Sequence, residues 1–385
     1  MTDARTATAV SYGLTGVLTA LWAATLPATD VRLNLGSGRL GALLTGLAVG
    51  ALVAMPVAGR LAGPRLLPVT APAAAAALVV VALAPTVQVL AVAAVLLGAA
   101  FGALNVALSL RAVAVERAAG RPVMAWMHGV WTLGAVAGGA IASASLRAGL
   151  DVRVLMAGGA VAVAIAFASV TRVRVESVSL AAKGSPAPRS RLLVLLGVIG
   201  AAAFVSEGAA TDWAGVHAVR VLGAEPSTGS LVYTVFFVAM TVVRLLGDAV
   251  RDRIGAAGTI GLAGGVATAG YALVLLSGAA PAGIRVGCAM VGWTLAGAGM
   301  AVVWPIVASA IGAAGGAGRL SAVTAISYGG GLVGPAVIGY VAAHATLPVG
   351  LSIPAVLALL VAAAAPAVLR QVGRPVLPLN TRRVP

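Results

Sequence analysis

Glu207, Asp212, Trp213, His217 and Arg220 stand within fourteen positions of one another, in the stretch SEGAATDWAGVHAVRVLGA (Ser206–Ala224). The run before it, LLVLLGVIGAAAFV, carries no charge at all. A helix entering lipid near Leu192 reaches Glu207 after about 22 Å at a rise of about 1.5 Å per residue, in the outer third of a hydrocarbon core about 30 Å thick. An acidic residue at a helix centre costs roughly 2.5–3.5 kcal/mol to insert, so such groups face a wet cavity or find a partner. Two roles fit Glu207: a carboxylate that exchanges a proton or holds a cation, or a structural one bonded to backbone or Ser/Thr groups. Arg111 and Arg244 are expected near the inner ends of their helices, which leaves Glu207 without a basic partner at its depth. Asp212 is expected to cap or end the helix at the outer surface, with Arg220 as its partner, and His217 to lie at or past the interface.

Other residues able to meet a solute are sparser. Asn105 and Ser109 share a helix face with Phe101 at i, i+4 spacing, His128 stands at a comparable depth, and Thr25 and Thr211 add hydroxyls. Asn and Ser serve equally as hydrogen-bond glue between membrane helices. Trp22, Trp131, Tyr233, Trp304 and Tyr328 are aromatics in apolar runs, where packing is the commoner use. Pro305 follows the glycine-rich run AGAGMAVVW (Ala296–Trp304), the composition of a helix that bends. Enzyme motifs are missing: there is no H-E-x-x-H, no G-x-S-x-G and no Walker loop, and His128, His217 and His344 are scattered. Neither a catalytic centre nor a metal or cofactor site is expected, and ATP is not the expected energy source.

The elements that must position these residues follow from composition. Hydrophobic residues are 61% of 385 and charged ones 9%, against about 25% charged in soluble domains, and the mean hydropathy is +1.06. Twelve apolar runs are long enough to span a bilayer, near residues 6–28, 38–58, 66–85, 87–112, 122–146, 151–170, 191–216, 227–250, 257–278, 283–312, 319–343 and 347–369. If both termini are cytoplasmic, nineteen of the 25 Lys and Arg fall on the inner side, a clear positive-inside bias. That bias explains the net charge of +15 through the anionic inner leaflet and removes the need for a nucleic-acid partner. The single cysteine, Cys288, excludes an intrachain disulfide.

The chain divides in the middle. TRVRVESVSLAAKGSPAPRS (Thr171–Ser190) is basic, polar and broken by Pro186 and Pro188, as expected of a cytoplasmic linker. It separates an N-terminal bundle (1–170) from a C-terminal bundle (191–370), followed by a cytoplasmic tail (371–385). A shift of 200 residues places HGVWTLGAVAGG (His128–Gly139) on YGGGLVGPAVIG (Tyr328–Gly339), and a shift of 188 pairs Gly59 with Gly247. Two related six-helix halves around a central cavity form a transporter plan.

These residues resemble the major facilitator superfamily over essentially the whole chain. Leu97–Gly139 and Ser206–Ala224 are similar to the fourth, fifth and seventh helices of its bacterial fucose-permease-like branch. RLLGDAVRDRIG (Arg244–Gly255) resembles the superfamily's loop motif, with Gly247, Asp248, Asp252, Arg253 and Gly255 at the motif positions. The resemblance implies an all-α membrane protein of two pseudo-symmetric six-helix bundles, acting as a monomer. It also implies alternating access, an ion gradient (protons) as energy source, and a loop motif that latches the inner gate. Departures accompany it. Gly63 replaces the motif's aspartate in the first half, Thr25 stands where the branch often has arginine, and the first and fourth helices lack the carboxylates of its sugar symporters. Uptake of a sugar-like or small polar solute and proton-exchange efflux of drugs or metabolites both remain open, the first favoured by the resemblance and the second by the sparse polar lining.

Overall fold

The computed structural model describes residues 2–61, 63–119, 123–170, 191–313 and 317–372. Among these, twelve helices are long and apolar enough to cross a membrane. They are Ala4–Leu33, Gly36–Arg60, Leu66–Leu83, Val87–Ala119, Trp126–Arg147, Val152–Val170, Arg191–Arg220, Pro226–Leu246, Val250–Ala279, Arg285–Ile311, Ile326–His344 and Leu347–Gln371, the first to twelfth spans below. The expected spans recur with shifted ends. The fourth runs on to Ala119 past Arg111, Glu116 and Arg117, because long charged side chains tolerate helix well and do not stop it where lipid stops. The linker Thr171–Ser190 and the tail from residue 373 lie outside the described residues.

Packing inside each half follows small residues. The first span lies on the fifth, the second on the fourth and the third on the sixth, while the seventh lies on the eleventh and the ninth on the twelfth. Gly16 sits directly against the Trp131 carbonyl and Gly208 against Pro335 and the Gly331 carbonyl, so a Cβ at either position would collide. Without a hydrophobic force between helices in lipid, such close backbone approach supplies the van der Waals contact that holds them. The halves meet where the fifth span packs on the eighth and the second on the eleventh, with Gly41 and Gly339 backbone to backbone.

Three spans depart from regular helix, each for a local reason. Pro27 breaks the first into Thr2–Ala23 and Leu26–Leu33, since proline cannot donate to a preceding carbonyl. Pro305 breaks the tenth into Arg285–Met300 and Val303–Ala313. The seventh changes winding within its length: Arg191–Ala209 is α-helical, Ala210–Ala214 is a π-turn, and Gly215–Arg220 is α-helical again. The eighth and ninth run almost continuously, interrupted by Gly255 at φ 72° and ψ 167°. A side chain resists that conformation and glycine adopts it freely, which is the local reason for the glycine of the loop motif.

Candidate functional site

The centre of the molecule is an ion pair. Glu207 Oε2 of the seventh span accepts from Arg244 Nη2 of the eighth at 3.2 Å, with both side chains about one-fifth exposed. The expectation that Glu207 lacks a basic partner is thereby corrected. Counted from Arg220 and Pro226, the neighbouring ends of their spans, Glu207 lies 13 residues in and Arg244 18, an offset of only about 7 Å at about 1.5 Å per residue, which a long arginine side chain covers. Arg244 has two further partners. Its Nη1 donates to Thr132 Oγ1 of the fifth span at 3.0 Å, which ties the two halves together. Its Nε donates to the Ala301 carbonyl at 3.4 Å, the acceptor that Pro305 leaves free four residues later.

Rings flank this pair on both sides. In the first half Tyr12 meets His128 edge to face at 5.6 Å, with Ser109 at the Tyr12 hydroxyl. In the second half Phe204 stacks against Tyr328 at 4.3 Å and Trp304 at 5.3 Å. Trp131 and Phe237, 6.0 Å apart, join the two halves between them.

One layer further toward the face that carries the turns at Asn34, Gly149 and Gly223 lie Asp212, Trp22 and Tyr233. Asp212 stands in the π-turn, half-buried, beside the Trp22 indole. It neither caps the helix nor pairs with Arg220, because the span continues in helical form to Arg220. His217 is likewise buried, at 1% exposure, rather than interfacial.

Above that layer the halves are closed. Arg220 makes a two-pronged salt bridge to Asp30 at the end of the first span, where Asp30 is 1% exposed and also accepts from the Gly36 N–H at 3.2 Å. Ser230 donates to the Ala24 carbonyl beside the Pro27 break (2.5 Å), and Ser143 to the Ser227 carbonyl (2.8 Å). On the other side of Arg244, toward the face where the helix from Thr2 begins and the twelfth span ends, no hydrogen bond or ion pair joins the halves among the described residues. Asn105 and Tyr328 are exposed there.

No family model matches the chain. Full-length relatives do. The uncharacterised transporter y4wD of Sinorhizobium fredii is 32% identical over 94% of this chain and 97% of its own. An uncharacterised MFS-type transporter of Yersinia pestis is 30% identical over 94% and 95%. The chain belongs to the major facilitator superfamily. Membrane protein MosC of Rhizobium meliloti is also similar, at 30% identity over 88% of this chain and 83% of its own. Solved structures carry the same major facilitator fold. A mutant of the nucleoside transporter NupG superposes with a TM-score of 0.73, over 96% of this chain and all of its own at 13% identity. A bacterial homologue of the lysosomal transporter Spinster, inward-facing and unoccupied, superposes at 0.67, over 95% and 96% at 14% identity. Transport is what the names of the first two relatives describe.

Among the residues singled out in the sequence, this major facilitator protein gathers Glu207, His128, Trp131, Trp304, Tyr328 and Ser109 around the central pair, and Trp22 and Tyr233 in the layer beyond it. Two turn inward on their own helices: Thr25 bonds to the Leu21 carbonyl at 2.5 Å and Thr211 to the Glu207 carbonyl at 2.7 Å. Asn105 is exposed on the Ser109 face and makes no side-chain hydrogen bond among the described residues. The loop motif stands apart from the site. Asp252 and Arg253 are exposed and make no ion pair among the described residues, Gly255 makes the turn, and the side chains of Gly247 and Asp248 lie outside the described residues. Arg244, Thr132, Tyr12, Phe204 and Asp30 went unselected. Arg244 had a signal, being a charge inside the run VYTVFFVAMTVVRLL, which its closeness to the loop motif obscured.

Proposed function

We propose that this protein is a proton-coupled secondary transporter of the cytoplasmic membrane, taking up a sugar-like or small polar solute by alternating access. Both termini are cytoplasmic on the charge bias, so the Asp30–Arg220 closure faces outward and the central pair opens to the cytoplasm. The observation that carries the proposal is the Glu207–Arg244–Thr132 chain: it lies mid-membrane, is partly exposed, and is shared between halves that must move relative to each other. A solute or proton arriving at Glu207 competes with Arg244. Once released, Arg244 no longer holds Thr132, so occupancy at the centre loosens the contact between halves. Likeness of Leu97–Gly139 and Ser206–Ala224 to the fucose-permease-like branch supports uptake. A second reading, proton-exchange efflux of a more apolar solute, is favoured by the rings of Phe204, Trp304 and Tyr328.

The test is uptake into proteoliposomes under an imposed pH gradient, with radiolabelled sugars, nucleosides and cationic drugs as probes. The proposal expects gradient-driven accumulation of a polar solute, lost in Glu207→Gln and Arg244→Ala alike. Accumulation of drugs alone transfers the reading to efflux. Accumulation that is independent of both the gradient and Glu207 removes the coupling role.

A further inference from the structure

On the turn face, the ends of the first, fifth, sixth and eighth spans enclose a cavity of about 400 Å³, a size that accommodates small ligands. It stands on the flank where the fifth span packs on the eighth. Along the eighth span, the cross-half bonds of Ser227 and Ser230 lie between it and Arg244, so it is separate from the central site. Its charged residues are unequally occupied. Asp151 is neutralised by Arg153, which gives it two side-chain bonds. Arg32, of the first half, donates from Nη1 to the Ala84 carbonyl at 3.1 Å, and its buried Nε has no partner. Glu225, of the second half, precedes the eighth span at the position where a side chain commonly caps a helix. It makes no such bond, and its carboxylate has no ion pair among the described residues. Two opposite charges thus line one cavity from opposite halves without pairing.

That arrangement selects among ligand charges. A cation alone gains Glu225 and is repelled by Arg32; an anion alone meets the reverse. A neutral molecule leaves both charges as they are. A molecule that carries an ammonium and a carboxylate satisfies both, through charge-assisted bonds that are stronger than neutral ones. The planar guanidinium fork suits a carboxylate in particular. Between the charges the lining is apolar, with Leu146 and Val152 from one half and Pro226 from the other, a surface for a short aliphatic chain.

We infer that this cavity is a binding site for a small aliphatic zwitterion of the amino-acid class, its carboxylate on Arg32 and its ammonium on Glu225. The site is distinct from the one that would carry the transported solute. Its consequence rests on the transport proposal: a ligand that ties the first span to the eighth reinforces the Asp30–Arg220 closure on the same face and slows the cycle from outside the path.

The test uses the full chain in detergent, with titration calorimetry and melting temperature as readouts. L-Leucine and ε-aminocaproate are the zwitterions; isoamylamine and isocaproate carry one charge each. The expected result is that a zwitterion binds and raises the melting temperature, while each single-charge probe binds about tenfold more weakly or worse. Glu225→Gln and Arg32→Gln should each weaken the zwitterion about tenfold or more. The Glu225 side chain has no bond to lose, so Glu225→Gln should melt with wild type in the absence of ligand and decides the matter even if Arg32→Gln folds poorly. Failure of both zwitterions to bind overturns the site, and so does isoamylamine binding as tightly as they do. Zwitterion binding that survives Glu225→Gln but is lost in Glu207→Gln belongs to the central pair; it overturns this site and leaves the transport proposal standing. In proteoliposomes the zwitterion should lower the maximal rate for the accumulated solute without raising its KM, and Glu225→Gln should abolish the effect. A raised KM at unchanged maximal rate makes the zwitterion a competitor in the path and overturns the inference.

Discussion

The two halves share a scaffold and differ in what they hang on it. In the first, Gly16 seats the first span against Trp131 of the fifth; in the second, Gly208 seats the seventh against Gly331 and Pro335 of the eleventh. Tyr12 over His128 and Phe204 over Tyr328 occupy corresponding places. Yet the mid-membrane charges all belong to the second half: Glu207, Asp212 and Arg244. The first half answers with neutral groups, Thr132, Ser109 and Trp22. Duplicated packing therefore tolerates unequal chemistry: the glycine seats recur in both halves while the side chains around the central pair differ. A moving contact that holds charge on one side only also avoids stranding an ion on each half when they part, a cost that a buried pair split between halves would incur.

Asp30–Arg220 is the exception, an ion pair divided between halves, and it predicts the largest effect. Arg220→Ala leaves Asp30 buried with one backbone N–H, at a cost of about 3 kcal/mol discounted by the exposure of the arginine. Asp30→Asn should cost clearly less. Melting curves of both check the order, and a cysteine at Ser143 should label faster in Arg220→Ala if the turn face opens.

Within one half, breaking Glu207–Arg244 should be milder. Arg244→Ala should cost about 2 kcal/mol, since both side chains retain some water, and Glu207→Gln added to it should recover most of the stability without recovering transport. Denaturation together with the proteoliposome assay separates the two.

The equivalence of the seams is open to direct attack. Gly16→Val meets a carbonyl and backbone nitrogen that cannot yield, whereas Gly208→Val meets first the Pro335 ring edge. Both should destabilise by about 1–3 kcal/mol, the first more; equal losses in melting temperature would argue that the second seam is as rigid as the first. Exchanging the ring pairs should matter little: Tyr12→Phe and Phe204→Tyr should each change stability by less than about 1.5 kcal/mol.

The smallest effect is expected from Asp151 and Arg153 on the turn face. Two side-chain bonds and a backbone bond from Arg153 hold the Asp151 carboxyl down at about 2, from 3.8. A depressed carboxylate contributes stability that is present above its unfolded value and lost as pH falls through the folded one. Because Asp151 is exposed, Asp151→Asn should melt only slightly below wild type from about pH 5 to 8, and that small gap should close as pH falls from about 4 to 2.

The fold was legible in the sequence because lipid imposes length and apolarity on every span, and twelve such runs stand out. The repeat was legible where glycine had to recur, as at Gly134 and Gly334. Glu207 was legible too, as a charge in an apolar run. Its partner was not, since i, i+4 logic sees one helix, whereas Arg244 reaches Glu207 across two. Asp212 was misjudged for a different reason. Counting α-helical turns from Leu192 placed it at the surface, whereas the span runs on in helical form to Arg220, which nothing in ATDWA announces.

That π-turn has a consequence for how the chain tolerates length changes. It holds one residue more per turn than its surroundings, so Glu207 and Arg220 are phased on opposite sides of a single-residue insertion. Deleting one residue from Ala210–Ala214 would let ordinary winding resume, and because five residues of π-turn take up about the rotation of four in an α-helix, the helix beyond would keep its facing. Glu207 would keep its partner and Arg220 would stay beside Asp30, while the side chains of the turn itself, Asp212 among them, would be re-aimed. The centre and the closure thus share one angular register on one helix, and a one-residue gap in an alignment here would mark a protein that keeps the closure and aims a different side chain from the turn.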